Sequence, residues 1–194
     1  MYSLKFFFLI ATCISTLASA APRSIQTVYS AATPAITIVE FGDFQCPYCK
    51  RSNTVEIPQL IAQYGDKVRV VFRNYPLSFH ANAMSAAIAG VCAANQGKFK
   101  EMYDFLYANY QSLGHDKYIE AAQKLALNQA TFETCLNSSA AADQVNDDVA
   151  EGNLLSVDGT PAFFISGLGE TRRLNGAYPI ADFQKAIEAI LTGK

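Results

Sequence analysis

Residues 35–41, Ala-Ile-Thr-Ile-Val-Glu-Phe, alternate branched and small side chains and predict a buried strand that carries one acid, Glu40. A short turn leads to Cys46-Pro47-Tyr48-Cys49. Pro47 suits the first turn of a helix, where its missing N–H costs nothing. That helix is expected to run to Tyr64 and Gly65, with a kink at Pro58. Residues 67–75 predict a second strand, closed by Pro76. A strand, helix and strand of these lengths predict a right-handed crossover with parallel strands.

From about Phe79 to Leu155 the period changes to that of helices. An Ala-rich segment spans 81–96 and stops at Gly97. Phe99, Met102, Tyr103, Leu106 and Tyr107 form an apolar helical stripe. Asp116 is expected to cap a helix reaching Leu125, with a short helix over 131–136 and a longer one over 140–155. Strands return at 162–166 and, after a Gly-rich turn, at 171–174. Pro179 opens a last amphipathic helix with Phe183, Ala186, Ile187 and Ile190 on one face. The pattern predicts an α/β fold: a central mixed sheet flanked by helices, with a helical insertion over about 77–156 and no linker-like stretch to mark a hinge.

The first twenty residues read differently. Lys5 supplies a positive start, residues 6–17 an apolar run, and Ala18-Ser19-Ala20 a small-residue cleavage signal. The apolar run is short for a membrane span, which needs about 20 residues. We read 1–20 as a bacterial signal peptide and 21–194 as one domain in an oxidising compartment, periplasmic or secreted. An uncleaved anchor is the alternative. The chain has 194 residues, 51% of them hydrophobic, so it can bury a substantial core. Its formal net charge of −2, with no basic run, excludes the usual signature of a nucleic-acid or membrane-surface binder.

Two cysteines three residues apart on a helix lie close enough to form a disulfide. The first would sit at the helix start, where unpaired N–H groups and the positive dipole end favour a thiolate. Cleavage removes Cys13 and leaves Cys46, Cys49, Cys92 and Cys135, which allow three pairings. The 46–49 spacing selects one and leaves Cys92 with Cys135. That bridge would close 44 residues and contribute at most about 4 kcal/mol by chain entropy. Two buried free thiols or a second redox couple are the other readings of Cys92 and Cys135. A zinc site at 46–49 lacks a second Cys/His pair, the histidines being His80 and His115. A purely structural bridge over two intervening residues would stabilise little. Redox chemistry is therefore expected, with no metal and no cofactor beyond the disulfide itself.

Glu40, the Cys-Pro-Tyr-Cys site, the inserted helices and Gly159-Thr160-Pro161 together resemble the thioredoxin superfamily. Within it, the mature chain resembles the DsbA-type secreted thiol–disulfide oxidoreductases along essentially its whole length. The resemblance implies that Cys46 is the exposed nucleophile and Cys49 the resolving thiol. It makes Pro161, after Thr160, a cis-proline beside the sulfurs, and Glu40 a buried acid assisting proton movement at Cys49. A water-facing acid on an edge strand is the plainer reading of Glu40, and a trans proline that of Pro161. A second disulfide in the insert, as family members carry, fits Cys92 and Cys135. The Pro47-Tyr48 dipeptide departs from Pro-His, which removes a cation able to stabilise the thiolate.

The expected function is oxidation of reduced or unfolded secreted proteins, with reoxidation by a membrane partner, a quinone-linked oxidase. Isomerase or reductase is the alternative within the class, and a chaperone or surface-binding protein the alternative outside it. Dedicated isomerases of the family carry an N-terminal dimerisation domain. Here only some fourteen residues separate the cleavage site from the strand at 35, so a monomeric oxidase is expected. Thr160 is expected to offer backbone groups to an extended substrate segment.

Overall fold

The computed structural model describes residues 26–193. The segment read as a signal peptide, Cys13 and the expected cleavage site lie outside them. The strands are β1 (Thr27–Ser30), β2 (Ile36–Gly42), β3 (Val68–Asn74), β4 (Ala162–Gly167) and β5 (Glu170–Asn175). The helices are α1 (Pro47–Arg51), α2 (Ile57–Tyr64), α3 (Ala83–Ala94), α4 (Phe99–Ala108), α5 (His115–Lys124), α6 (Gln129–Leu136), α7 (Ser139–Leu154) and α8 (Ile180–Thr192). The sheet order is β1-β3-β2-β4-β5. β2 runs parallel to β3 and antiparallel to β4, and both edge strands pair antiparallel. The mixed sheet and the helical insertion between β3 and β4 follow the expected plan.

Position in the sheet explains the strand sequences. β2 is flanked on both sides, so its residues are buried in alternation and then wholly: Ile36, Ile38, Glu40 and Phe41 are all at 0% exposure. Side chains alternate across the sheet. Ile36, Ile38 and Glu40 therefore point to one face with Phe72, the register partner of Glu40 on β3. Phe163 of β4, opposite Glu40 on the other side, joins them. Phe41 points the other way, to a smaller cluster with Val157 and Ala162.

The stripe on α4 closes the main core. Tyr103 packs edge-on to Phe72 at 5.4 Å and to Phe44 at 5.9 Å, and Phe44 stacks on Phe72 at 4.9 Å. Truncating one of these rings to Ala would cost about 3–5 kcal/mol. The insert is tied internally by the Cys92–Cys135 disulfide, S–S 2.02 Å, which joins α3 to α6.

Four local expectations change. β1 was not foreseen; Thr27–Ser30 is a short edge strand with a register shift between Thr27 and Tyr29, which breaks the alternation that would mark it. Thr27–Ser30, ahead of residue 35, are thus part of the sheet. The first helix is not one α-helical run: α1 and α2 are separate, and Pro58 stands in the first turn of α2. The chain re-registers one turn earlier through a π-helical segment, Ser52–Glu56, where Ile57 N–H reaches Ser52 O. This shift comes just before the residue that lacks an N–H donor. Asp116 is not a cap: Gly114 holds that position, and Asp116 lies in the first turn of α5. Pro179 likewise caps α8 and does not begin it. α6 and α7 begin with proper caps, Asn128 accepting from Thr131 N–H and Ser138 from Ala141 N–H.

Candidate active site

The loop between β2 and α1 is held before any redox residue is placed. Asp43 is 2% exposed. Its Oδ1 accepts from Gln45 N–H at 2.7 Å and its Oδ2 from Leu77 N–H at 2.9 Å. His80 Nδ1 lies 2.7 Å from the same Oδ2. The carboxylate thereby clamps the turn before α1 to the segment after β3. Sequence reasoning gave His80 no chemistry and did not single out Asp43, because the partners lie 37 residues apart.

Cys46 caps α1 with an extended backbone, and Pro47 fills the first helical position. Cys46 N–H donates to Asp43 O at 3.1 Å. Its thiol donates to Thr160 O at 3.5 Å, across 114 residues of sequence. The Thr160–Pro161 bond is cis. Both cysteines are free thiols in this dithiol form. Cys46 was expected to face solvent, but only 3% of the residue is exposed, because the Thr160–Pro161 loop lies against its sulfur. Exposure falls instead on the intervening Tyr48, at 62%.

The two sulfurs are driven in opposite directions. The Cys46 pKa is lowered to about 6, first by the Cys49 thiol, then by the backbone N–H groups of Cys49 and Tyr48, against the effect of burial. The Thr160 hydroxyl adds to this without closing a hydrogen bond of normal geometry. Cys49 is at 0% exposure, and burial pushes its pKa well up. The Cys46 sulfur and the Glu40 charge act in the same direction. One thiol is thus prepared as a thiolate and its neighbour is held protonated.

Glu40 lies inside the protein, at 0% exposure. Burial raises its pKa to about 8, the Asn53 hydrogen bond opposes the rise, and the Cys46 charge adds to it. Asn53 Nδ2 donates to Glu40 Oε1 at 2.8 Å and to the Cys49 carbonyl at 2.9 Å. Asn53 stands in the π-helical segment, four residues after Cys49, and the sequence reading missed it. Its spacing from Cys49 was the available signal, since residues four apart share a helix face. Gly42 makes room for the acid. A Cβ there would collide with the Phe72 ring and stand 3.1 Å from Glu40 Oε1.

Among the described residues no group of His, Cys, Asp and Glu is placed to hold a metal ion. No helix among them is long and apolar enough to cross a membrane.

Comparison with known proteins agrees with this geometry. The thioredoxin family pattern matches residues 27–189. The Na(+)/H(+) antiporter NhaA 3 of Salinispora tropica is 37% identical over 153 residues, which cover 78% of this chain. The chain spans only 22% of that protein's length, so the likeness is to a segment of it. Among solved structures, alpha-DsbA1 of Wolbachia pipientis superposes with a TM-score of 0.73 at 18% identity, covering 90% of this chain and 94% of that one. DsbA2 of Pseudomonas aeruginosa gives 0.66 at 24% identity, covering 87% and 93%. The chain belongs to the thioredoxin family and has the fold of the DsbA proteins.

Proposed function

We propose that the protein is a thiol–disulfide oxidoreductase working as an oxidase of reduced secreted proteins through Cys46 and Cys49. The observation that carries this reading is the opposite displacement of the two thiols on one helical turn. With a pKa of about 6, Cys46 holds roughly ten thiolates for each thiol at pH 7. A thiolate that stable is a good leaving group, and its stability favours the dithiol form over the disulfide, which raises the reduction potential.

In the oxidase direction a substrate thiolate attacks Cys46 of the oxidised site. An S–S bond forms between substrate and Cys46, the Cys46–Cys49 bond breaks, and Cys49 leaves as a thiolate. Glu40, protonated near neutral pH, supplies the proton Cys49 needs. A second substrate thiolate then attacks the substrate sulfur of the mixed disulfide and expels Cys46. The substrate gains a disulfide and the protein ends as the dithiol. In reoxidation the Cys46 thiolate attacks a disulfide of the oxidising partner and releases one partner thiolate. Cys49 then gives its proton to Glu40 and attacks Cys46 of the mixed disulfide, which expels the partner's second thiolate and restores the Cys46–Cys49 bond. A membrane-bound, quinone-linked oxidase in the periplasm is the partner this scheme calls for. Thr160 carries the backbone groups that an extended substrate strand would pair with, and its carbonyl lies against the Cys46 sulfur.

The test is oxidative refolding of a reduced model protein by the oxidised form. Wild type should transfer one disulfide per molecule and Cys46→Ser none, while Cys49→Ala, offered a disulfide-containing substrate, should accumulate mixed disulfides on Cys46. Trapping by the Cys46 variant instead would reverse the assigned roles. Rapid reduction of substrate disulfides by the dithiol form, with no net oxidation, would favour the reductase reading.

A further inference from the structure

Three polar atoms beneath the redox helix are buried without a hydrogen-bond partner: Glu40 Oε2, the Tyr103 hydroxyl and the Tyr107 hydroxyl. Glu40 is at 0% exposure and both tyrosines are at 2%. A buried oxygen left uncompensated costs about 1–3 kcal/mol, so three in one neighbourhood ask for a common explanation.

Their placement supplies it. Tyr103 and Tyr107 lie one turn apart on α4, rings 4.9 Å from each other. Both rings lean on Phe72, at 5.4 and 6.4 Å, and on Phe44, at 5.9 and 5.0 Å. Phe72 is the register partner of Glu40, and Phe44 stands in the turn that leads to Cys46. The two phenols therefore approach the sheet where Glu40 and Cys49 face it. After burial, which comes first, the charges of Glu40 and Cys49 both raise the phenol pKa values. The hydroxyls stay protonated and remain donors. Neither hydroxyl has a hydrogen-bond partner, and one bridging water with three polar partners would have the coordination usual for buried water.

We propose that Tyr103 and Tyr107 are positioning residues which, through one internal water, donate hydrogen bonds to Glu40 Oε2 and set the pH at which Glu40 takes the Cys49 proton. The proposal rests on the reading of Glu40 as the proton acceptor of Cys49. The other groups at this enclosure are Cys46 and Cys49 from α1, Asn53 from the π-helical segment, and Asp43 from the β2–α1 turn. β3 and β4 oppose Glu40 with Phe72 and Phe163. On the outer side of α4, Lys100 passes 5.8 Å from the Tyr103 ring but is paired with Asp104. Neutral donors, Asn53 on one oxygen and the tyrosines on the other, thus do for Glu40 what a buried cation could have done.

The test is an infrared titration of the Glu40 carboxyl in the reduced protein, the band being identified by its loss in Glu40→Gln. Tyr103→Phe, Tyr107→Phe and the double variant keep the rings and remove the hydroxyls. Each single variant should raise the Glu40 midpoint, and the double should raise it by about one pH unit. Cys49 alkylation, followed in a Cys46→Ser background, should shift its pH profile in the same direction. An infrared midpoint unchanged or lowered in the single variants overturns the inference, even where Glu40→Gln abolishes the pH dependence of Cys49. A Cys49 profile that Glu40→Gln leaves untouched would overturn the proton-acceptor reading instead.

Discussion

Asn53 Nδ2 stands 2.8 Å from Glu40 Oε1, so one amide on the redox helix holds the buried acid of the central strand. The same amide reaches the Cys49 carbonyl at 2.9 Å, so it bridges the acid and the backbone of the buried cysteine. The bond favours the ionised carboxylate and opposes the effect of burial. Asn53→Ala should therefore move the Glu40 midpoint above its present value of about 8. Cys49 alkylation at pH 7 should slow by about tenfold, with its profile displaced upward by about one unit. An unchanged profile would mean that the amide only braces the helix.

Glu40 also makes a stability prediction with a definite sign. Its pKa is raised from 4.5 to about 8, so burial penalises the charged form. The associated stability is fully present below 4.5 and is lost as pH rises towards 8. Glu40→Gln keeps the acceptor for Asn53 and removes the titration. At pH 7 it should stabilise the protein by about 3 kcal/mol, with the advantage gone near pH 4. Chemical denaturation of both forms across this range checks it, and a variant less stable at pH 7 would contradict it. On the proposed mechanism the wild type keeps a destabilising acid because exchange uses it.

The Cys92–Cys135 bridge joins α3 to α6 over a sequence separation of 43. It is remote in sequence from the exchange site, and Cys92 is at 0% exposure. Replacing both residues by Ala should lower the melting midpoint by about 10 °C, from a loss of about 2–4 kcal/mol. The reactivity of Cys46 should not change. Peptide mapping after reduction mild enough to open only 46–49 should still find 92 linked to 135; finding both as free thiols would contradict a structural bridge.

The elements whose burial repeats with a regular period were legible in the sequence: β2, β3, β4 and the stripe on α4 carry their environment in their side chains. The Cys46 and Cys49 pair and the Thr160-Pro161 dipeptide were legible because their chemistry is local. What could not be read depends on contacts across the chain. β1 is short and bulged, so its four residues lack an alternation. The Asp43 and His80 clamp, the shielding of Cys46 by Thr160, and the Asn53 and Glu40 hydrogen bond join residues that are neighbours only after folding. The π-helical turn depends on how the backbone accommodates Pro58, and the sequence offered a kink as the simpler solution.

The oxidase direction predicts which redox form is the more stable. In the dithiol form the folded Cys46 pKa is about 6 against a reference of 9.0, a depressed value. The stabilisation it brings is complete above the unfolded value and is lost as pH falls through about 6. Burial, the first cause of the Glu40 shift, does not depend on the bond between the sulfurs, so most of its penalty should cancel between the two forms. Reduced protein should melt above oxidised protein at pH 7, with the gap widening towards pH 8 and closing near pH 5. A more stable oxidised form at pH 7 would point to a secreted reductase.

The central claim is that Cys46 is a thiolate at neutral pH while Cys49 is a thiol. Ultraviolet thiolate absorbance of the reduced protein, titrated with the oxidised protein as blank, measures this directly. The account predicts one thiolate appearing with a midpoint of about 6, lost in Cys46→Ser and retained in Cys49→Ala. The Cys49→Ala midpoint should lie higher, because the Cys49 thiol is the first contributor to the lowering. A midpoint at or above the ordinary cysteine value of about 8.5, or a low midpoint that survives in Cys46→Ser, would contradict it.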